Sequence, residues 1–193
     1  MTWISFVPFG EASGRLEGLY EKYQRPNGTL PNIISAHSLR PHILEGHMVL
    51  YRAVLGHSGN TLPLWYLEAI GLYVSALNEC TYCIDHHSHY GGVAFKGAAS
   101  EWDDIDWDDI AAALLGDRPD EVFDGKWLAC LVYARQVTVE PAALTEQSIQ
   151  ELRDAGASDG EILEVNQVAA YFSYANRTIL GLGVTLDGET FAD

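Results

Sequence analysis

The sequence predicts an all-α fold, and three observations carry the prediction. Apolar residues recur at three- and four-residue spacing through most of the 193 residues. Alternation over strand length is nearly absent, and short turn-rich breaks separate the periodic segments. The first helix is expected from about Glu11 to Tyr23, closed by "RPNGTLP" at 25–31. Asn32 to Leu39 and Pro41 to Leu55 follow, and "GHSGNTLP" at 56–63 ends the second of them. Leu64 to Leu77 and Glu79 to Phe95 come next, with Asn78 read as the N-cap of the latter. Trp107 to Leu115 runs into "GDRPD" (116–120), and Asp120 to Val137 into "VEPAALT" (139–145). Glu146 to Ala155 precedes the longest helix, Asp159 to Leu182, which has Ser158 and Glu161 as a capping box and Gly181 or Gly183 as its stop.

The length is that of one domain with a full core, and 48% of the residues are hydrophobic. No repeat, low-complexity tract or linker interrupts it, so a single domain over 1–193 is expected, with 1–60 as an N-terminal helical extension packed on the core. The net charge of −16 repels phosphate backbones and anionic headgroups, which argues against nucleic-acid and membrane partners. Apolar runs such as "WLACLVYA" (127–134) fall short of the roughly 20 residues that cross a bilayer. The opening "MTWISFVPFGEASG" has no basic-then-apolar leader pattern, and the three cysteines do not form a secreted disulfide framework. A cytoplasmic, reducing location is the expectation.

One stretch concentrates chemistry: "LEAIGLYVSALNECTYCIDHHSHYGG", residues 67–92. Cys80 and Cys83 should lie in the first turns of their helix, where unpaired N–H groups and the helix dipole favour a thiolate. At about 100° per residue Cys80, Cys83 and His87 share one face, with His86 and His89 off it. His87 stands one turn beyond Cys83, within reach as a general base directly or through a water. A disulfide closing two residues removes little unfolded-state entropy, so a structural staple explains nothing. A zinc site would need Glu68 to complete Cys80, Cys83 and His87, and the remaining histidines form no metal-binding unit. No metal is therefore expected, and a dithiol that cycles to a disulfide is the preferred reading. Glu68, among Leu67, Ala69, Ile70, Leu72 and Tyr73, either meets an imidazole of the facing helix or sits on a polar side.

The spacing Glu68-x11-Cys80-x2-Cys83-x3-His87 resembles the active-site signature of the alkylhydroperoxidase D (AhpD-like) family within the carboxymuconolactone decarboxylase superfamily. "NECTYCIDHH" and the C-terminal "AAYFSYANRTILGLGV" (169–184) are similar to its peroxidase-related branch, while the first 60 residues match poorly. The resemblance implies a helical bundle whose central hairpin carries the CxxC motif, assembled as a homo-oligomer (dimer, trimer or hexamer). It also implies a peroxidase cycle on small organic hydroperoxides. In that cycle Cys83 attacks the peroxide, Cys80 resolves the sulfenic acid, and Glu68 with His87 relays the proton. No cofactor is implied beyond the cysteine pair, and an external dithiol, protein or small molecule, re-reduces it. Well-known members carry a second histidine where this chain has Tyr82, a phenol able to donate a hydrogen bond and thus an auxiliary candidate. The alternatives are a thiol–disulfide adaptor or redox sensor for a protein partner, and a lactone decarboxylase, which needs no cysteine pair.

Other residues receive plainer readings. Cys130 is core, and Trp65, Tyr66, Tyr73, Tyr90 and Phe95 are core or interface with some lining a pocket. His37, His42 and His47 receive no role. The family resemblance implies that Asn176 and Arg177 lie near the CxxC helix, with Arg177 more an ion-pair residue than a substrate ligand. The acids of "SEWDDIDWDDI" (100–110) match no calcium loop and read as a solvated connection anchored by Ile105 and Trp107, whose last acids favour the next helix start.

Overall fold

Helices begin and end where the sequence turns from apolar periodicity to turn-forming residues. The computed structural model describes residues 1–97, 102 and 105–191. Among these are nine α-helices and no strand: α1 Arg15–Tyr23, α2 Asn32–Ala36, α3 Pro41–Val54, α4 Leu64–Leu77, α5 Thr81–Phe95, α6 Trp107–Leu115, α7 Gly125–Val139, α8 Glu146–Asp154 and α9 Asp159–Leu182. Three of the expected spans, α4, α6 and α9, agree to the residue. The first helix starts later than expected, because Gly14 takes a positive φ of 58° and residues 9–11 form a separate 3-10 turn. Likewise α7 starts at Gly125 after a 3-10 turn at Pro119–Glu121, and α2 stops at Ala36.

The chain gathers into two compact units. One comprises residues 1–52 and 177–193. Its core is Leu16, Leu19, Tyr20, Tyr23, Ile34, Leu44 and Met48, the apolar faces of α1 to α3. The C-terminal segment is bound into this unit by polar contacts. Arg25 and Glu189 form a buried ion pair at 2.8 Å, and Asn32 donates from Nδ2 to the Thr185 carbonyl at 2.7 Å. His37 and His47 stack at 4.8 Å between centroids; burial lowers the pKa of both, that of His47 to about 3, so the His47 ring is neutral at physiological pH. The end of α9 lies here as well. Gly183, with φ of 61°, stops it while Gly183 N–H and Val184 N–H bond back to the Leu180 and Ile179 carbonyls.

The second unit is residues 53–176 and is built around α4. Every residue of α4 from Trp65 to Ser75 is buried, as a helix apolar on all sides must be. Its start has no side-chain cap of its own. The Glu164 carboxylate of α9 accepts the Thr61 and Leu62 N–H groups instead, at 2.8 and 2.9 Å. The capping box expected ahead of α9 is present, with Ser158 N–H to Glu161 at 2.8 Å and Glu161 N–H to Ser158 Oγ at 3.3 Å.

An aromatic cluster of Trp65, Tyr66, Phe95, Trp102, Phe123 and Trp127 closes one part of this unit. The Tyr66 hydroxyl donates to the Trp127 carbonyl at 2.5 Å, and Cys130 is buried as expected, its thiol pushed up to about 11 by desolvation. Trp107 anchors α6 onto α5: its Nε1–H donates to the Ser88 carbonyl at 2.8 Å, and its ring fills the space a Cβ on Gly91 would enter. Asp106 caps α6 by accepting the Asp109 N–H at 2.9 Å, in keeping with the reading of the acidic run's last residues. Glu101, Asp103 and Asp104 of that run lie outside the described residues.

Candidate active site

The site grows from the α4–α5 hairpin. Asn78 is not the N-cap of α5; it is the C-cap of α4, its N–H bonded to the Val74 carbonyl at 3.1 Å. Glu79 takes a left-handed conformation, φ 56°, so the chain reverses within two residues and α5 begins only at Thr81. Cys80 thereby becomes the N-cap of α5 and Cys83 its third residue. A good N-cap residue was displaced because the tight reversal needs a polar side chain at the end of α4, and Asn78 Nδ2 donates there to the Val74 carbonyl at 3.0 Å.

Cys80 is fully buried and Cys83 is 3% exposed. Their sulfurs lie 2.7 Å apart, closer than non-bonded sulfur contact, so a bond between them needs little motion. The two thiols differ in acidity. The Cys83 thiol, directed at Cys80, holds the Cys80 pKa below the ordinary cysteine value against desolvation, aided by the Cys83 backbone N–H and the Asn176 amide. Burial pushes Cys83 well up, and the adjacent Cys80 adds to the rise. Of the two, Cys80 is therefore the more acidic thiol. The lowering expected for both cysteines at the helix start holds for Cys80 alone, where the Cys83 thiol contributes more than the backbone N–H, and burial overrides it at Cys83.

Glu68 is the sole charged residue of α4 and is 4% exposed. Its Oε2 lies 2.6 Å from His87 Nδ1 on α5, which answers the question of which way it turns. When Nδ1–H donates to the carboxylate, Nε2 is left as the acceptor, the form a general base needs. The Phe172 ring of α9 meets the imidazole edge to face, with centroids at 4.4 Å and planes at 89°, and fixes its rotation. Tyr82 is buried, and its ring lies against His86 at 4.5 Å between centroids, i to i+4 along α5.

Two polar residues complete the surroundings. Asn176 of α9 and Ser75 of α4 are both fully buried, and Asn176 Nδ2 donates to Ser75 Oγ at 3.1 Å. Both side chains favour charge on Cys83, and Asn176 does so on Cys80 as well. Asn176 was singled out in the sequence but given no chemistry, and Ser75 was missed. A lone serine in an apolar helix is the signal available, since a buried hydroxyl needs partners. Arg177, the next residue, is on the exposed side of α9. Among the described residues no three His, Cys, Asp or Glu side chains are grouped as a metal site requires. No helix of the described residues is long and apolar enough to cross a membrane.

Gly71 explains how α9 comes so near. A Cβ there would lie 2.5 Å from Phe172, a ring with 1% exposure and no room to retreat. Gly71→Ala is expected to destabilise the fold by about 1–3 kcal/mol, the usual range for overpacking. Thermal unfolding should show this as a Tm about 2–12 °C lower, at roughly 2–4 °C per kcal/mol for a chain of this size.

No protein-family model and no curated protein matches this chain. Solved structures do. The alkylhydroperoxidase AhpD core protein of Ralstonia eutropha JMP134, a peroxidase-related protein, superposes with a TM-score of 0.78 at 20% identity over 95% of this chain and 91% of its own. A peroxidase-related protein of Silicibacter sp. TM1040 gives 0.77 at 20% identity over the same shares, 95% and 91%. The debrominase Bmp8, in complex with 2,3,4-tribromopyrrole, gives 0.70 at 19% identity over 96% and 91%. At these identities the likeness is one of fold.

Proposed function

From the fold it shares with the alkylhydroperoxidase D core and from its buried dithiol, we infer that this chain is a thiol-dependent peroxidase of the AhpD-like kind. The observation that carries the reading is one hairpin holding both a cysteine pair at 2.7 Å and a buried Glu68–His87 pair at 2.6 Å. The Cys83 thiol gives its proton to His87, whose imidazolium Glu68 stabilises, and the sulfur attacks the distal peroxide oxygen. The O–O bond breaks, the alkoxide takes a proton and leaves as alcohol, and Cys83 becomes a sulfenic acid. Cys80, the more acidic thiol, then attacks the Cys83 sulfur and expels hydroxide, which leaves as water on protonation. The balance is dithiol plus ROOH giving disulfide plus ROH plus water. An external dithiol restores the pair.

Burial of both sulfurs supports a small oxidant over a protein disulfide, which must bring its own sulfur in line with the attacking thiolate. A second reading rests on the debrominase neighbour and on Phe172 and Tyr82 beside the site. The same two electrons could reduce an aryl bromide, giving disulfide, arene and bromide.

The test is single-turnover oxidation of the reduced protein by cumene hydroperoxide, hydrogen peroxide and a bromopyrrole, counting thiols and bromide. Loss of two thiols per hydroperoxide, far faster than free cysteine reacts, is expected. Rapid bromide release with slow peroxide consumption would favour the second reading. No reaction faster than free cysteine with any of them would remove both.

A further inference from the structure

The buried polar chain beside the dithiol has a direction. Asn78 Nδ2 donates to Asn176 Oδ1 at 3.0 Å and to the Val74 carbonyl at 3.0 Å, which commits both of its N–H bonds. Asn176 Nδ2 donates to Ser75 Oγ at 3.1 Å, and the Ser75 hydroxyl donates in turn to the Gly71 carbonyl at 2.7 Å. The Asn176 amide cannot flip, since that would turn its NH2 onto the NH2 of Asn78. One N–H of Asn176 is thus spent on Ser75 and one remains. Asn176 has no exposure to water, so this second N–H must find an acceptor within the protein or carry the cost of an unmade bond. The Cys80 N–H, bonded to the Ser75 carbonyl at 2.9 Å, brings the cysteine turn against the same chain.

We propose that the second N–H of Asn176 is the charge-holding donor of the dithiol, kept pointed at the sulfurs by Asn78 and Ser75. It serves the Cys80 thiolate at rest and the Cys83 thiolate when the proton moves across. Its role parallels that of an oxyanion-hole donor: a preorganised amide in a water-excluded site that need not reorient as charge shifts between neighbouring atoms. The electrostatic influence of Asn176 on both sulfurs is in the required sense. The inference rests on the thiol chemistry proposed above only in taking the cysteine pair as the reacting group.

The experiment is peroxide-free. The pH dependence of iodoacetamide alkylation and of thiolate absorbance near ~240 nm is followed in the fully reduced protein, a direct report of thiolate fraction. Wild type should show a first ionisation below the ordinary cysteine range. Asn176→Leu, an isostere without donors, and Asn176→Asp, which puts an acceptor where the donor was, should move that midpoint upward by about one unit. Alkylation at pH 7 would then be about tenfold slower.

Because a buried substitution can impair folding, Asn78→Ala provides the second arm. It lies on the half-exposed end of α4, leaves Asn176 in place and removes its orienting donor together with the bond to the Val74 carbonyl, so a smaller shift in the same direction is expected. Midpoints unchanged in Asn78→Ala and in whichever Asn176 variant folds would overturn the proposal. A shifted midpoint in a protein whose wild type does not consume peroxide would leave Asn176 its role and remove the peroxidase reading. Peroxide turnover with an unmoved midpoint would do the reverse.

Discussion

Cys83→Ser is expected to lower peroxide-driven thiol oxidation by on the order of 10³-fold or more, leaving Cys80 reduced. A hydroxyl in place of the attacking sulfur cannot form the sulfenic acid. Cys80→Ser should behave differently. It completes the first step at near wild-type rate and stops there, with a sulfenic acid on Cys83 that a dimedone adduct locates by mass. The contrast is needed because Cys80 is the more acidic of the two thiols. If Cys80→Ser were inert while Cys83→Ser formed the adduct, the two roles would be exchanged and Cys80 would be the attacking sulfur.

Glu68→Gln is expected to slow that first step by roughly 10²–10⁴-fold, the range a positioned acid–base group supplies. The amide fits the same buried space and can keep a contact to His87 Nδ1 at about the present 2.6 Å. It cannot keep the charge. With its carbonyl toward Nδ1 it orients the ring but no longer stabilises imidazolium. With its NH2 toward Nδ1 it forces the proton onto Nε2, the wrong tautomer for a base. Stopped-flow oxidation compared with alkylation separates this from damage to the thiols. Alkylation at matched pH should be little changed, and a loss equal in both assays would mean that Glu68 acts on thiol acidity instead of on proton transfer.

Helix positions in this chain were legible because nearly every break carries a residue that forces one. The Ser158–Glu161 box and Gly183 bound α9, and the turn at 56–63 bounds α4 from below. The site was legible in identity, since the four-residue spacing names Glu68, Cys80, Cys83 and His87, but not in geometry. Whether Glu68 faces His87 depends on how α4 is rotated about its axis, and a helix buried on every side has no apolar stripe to reveal that rotation. Asn78 misled for a related reason. Local preference makes it a good N-cap, whereas tertiary demand uses its amide to close α4 and hold Asn176. Ser75 gave only the signal of a lone hydroxyl in an apolar helix, because Asn176, the partner that ties it to the dithiol, lies about a hundred residues away in sequence.

The left-handed Glu79 has a further consequence for how this chain can change in length. With α4 ending at Leu77 and α5 starting at Thr81, the connection is only residues 78–80, near the short end for helices that double back on one another. It therefore acts as a ruler. One residue inserted there would turn α5 by about 100° and shift it about 1.5 Å along its axis, carrying His87 away from Glu68 and Cys83 away from the cap. The loop at 56–63 is held at its end by Glu164, so added length there would fall ahead of Thr61, away from the dithiol. Changes in length are thus expected to be least tolerated at residues 78–80, where the spacing of the candidate site is set.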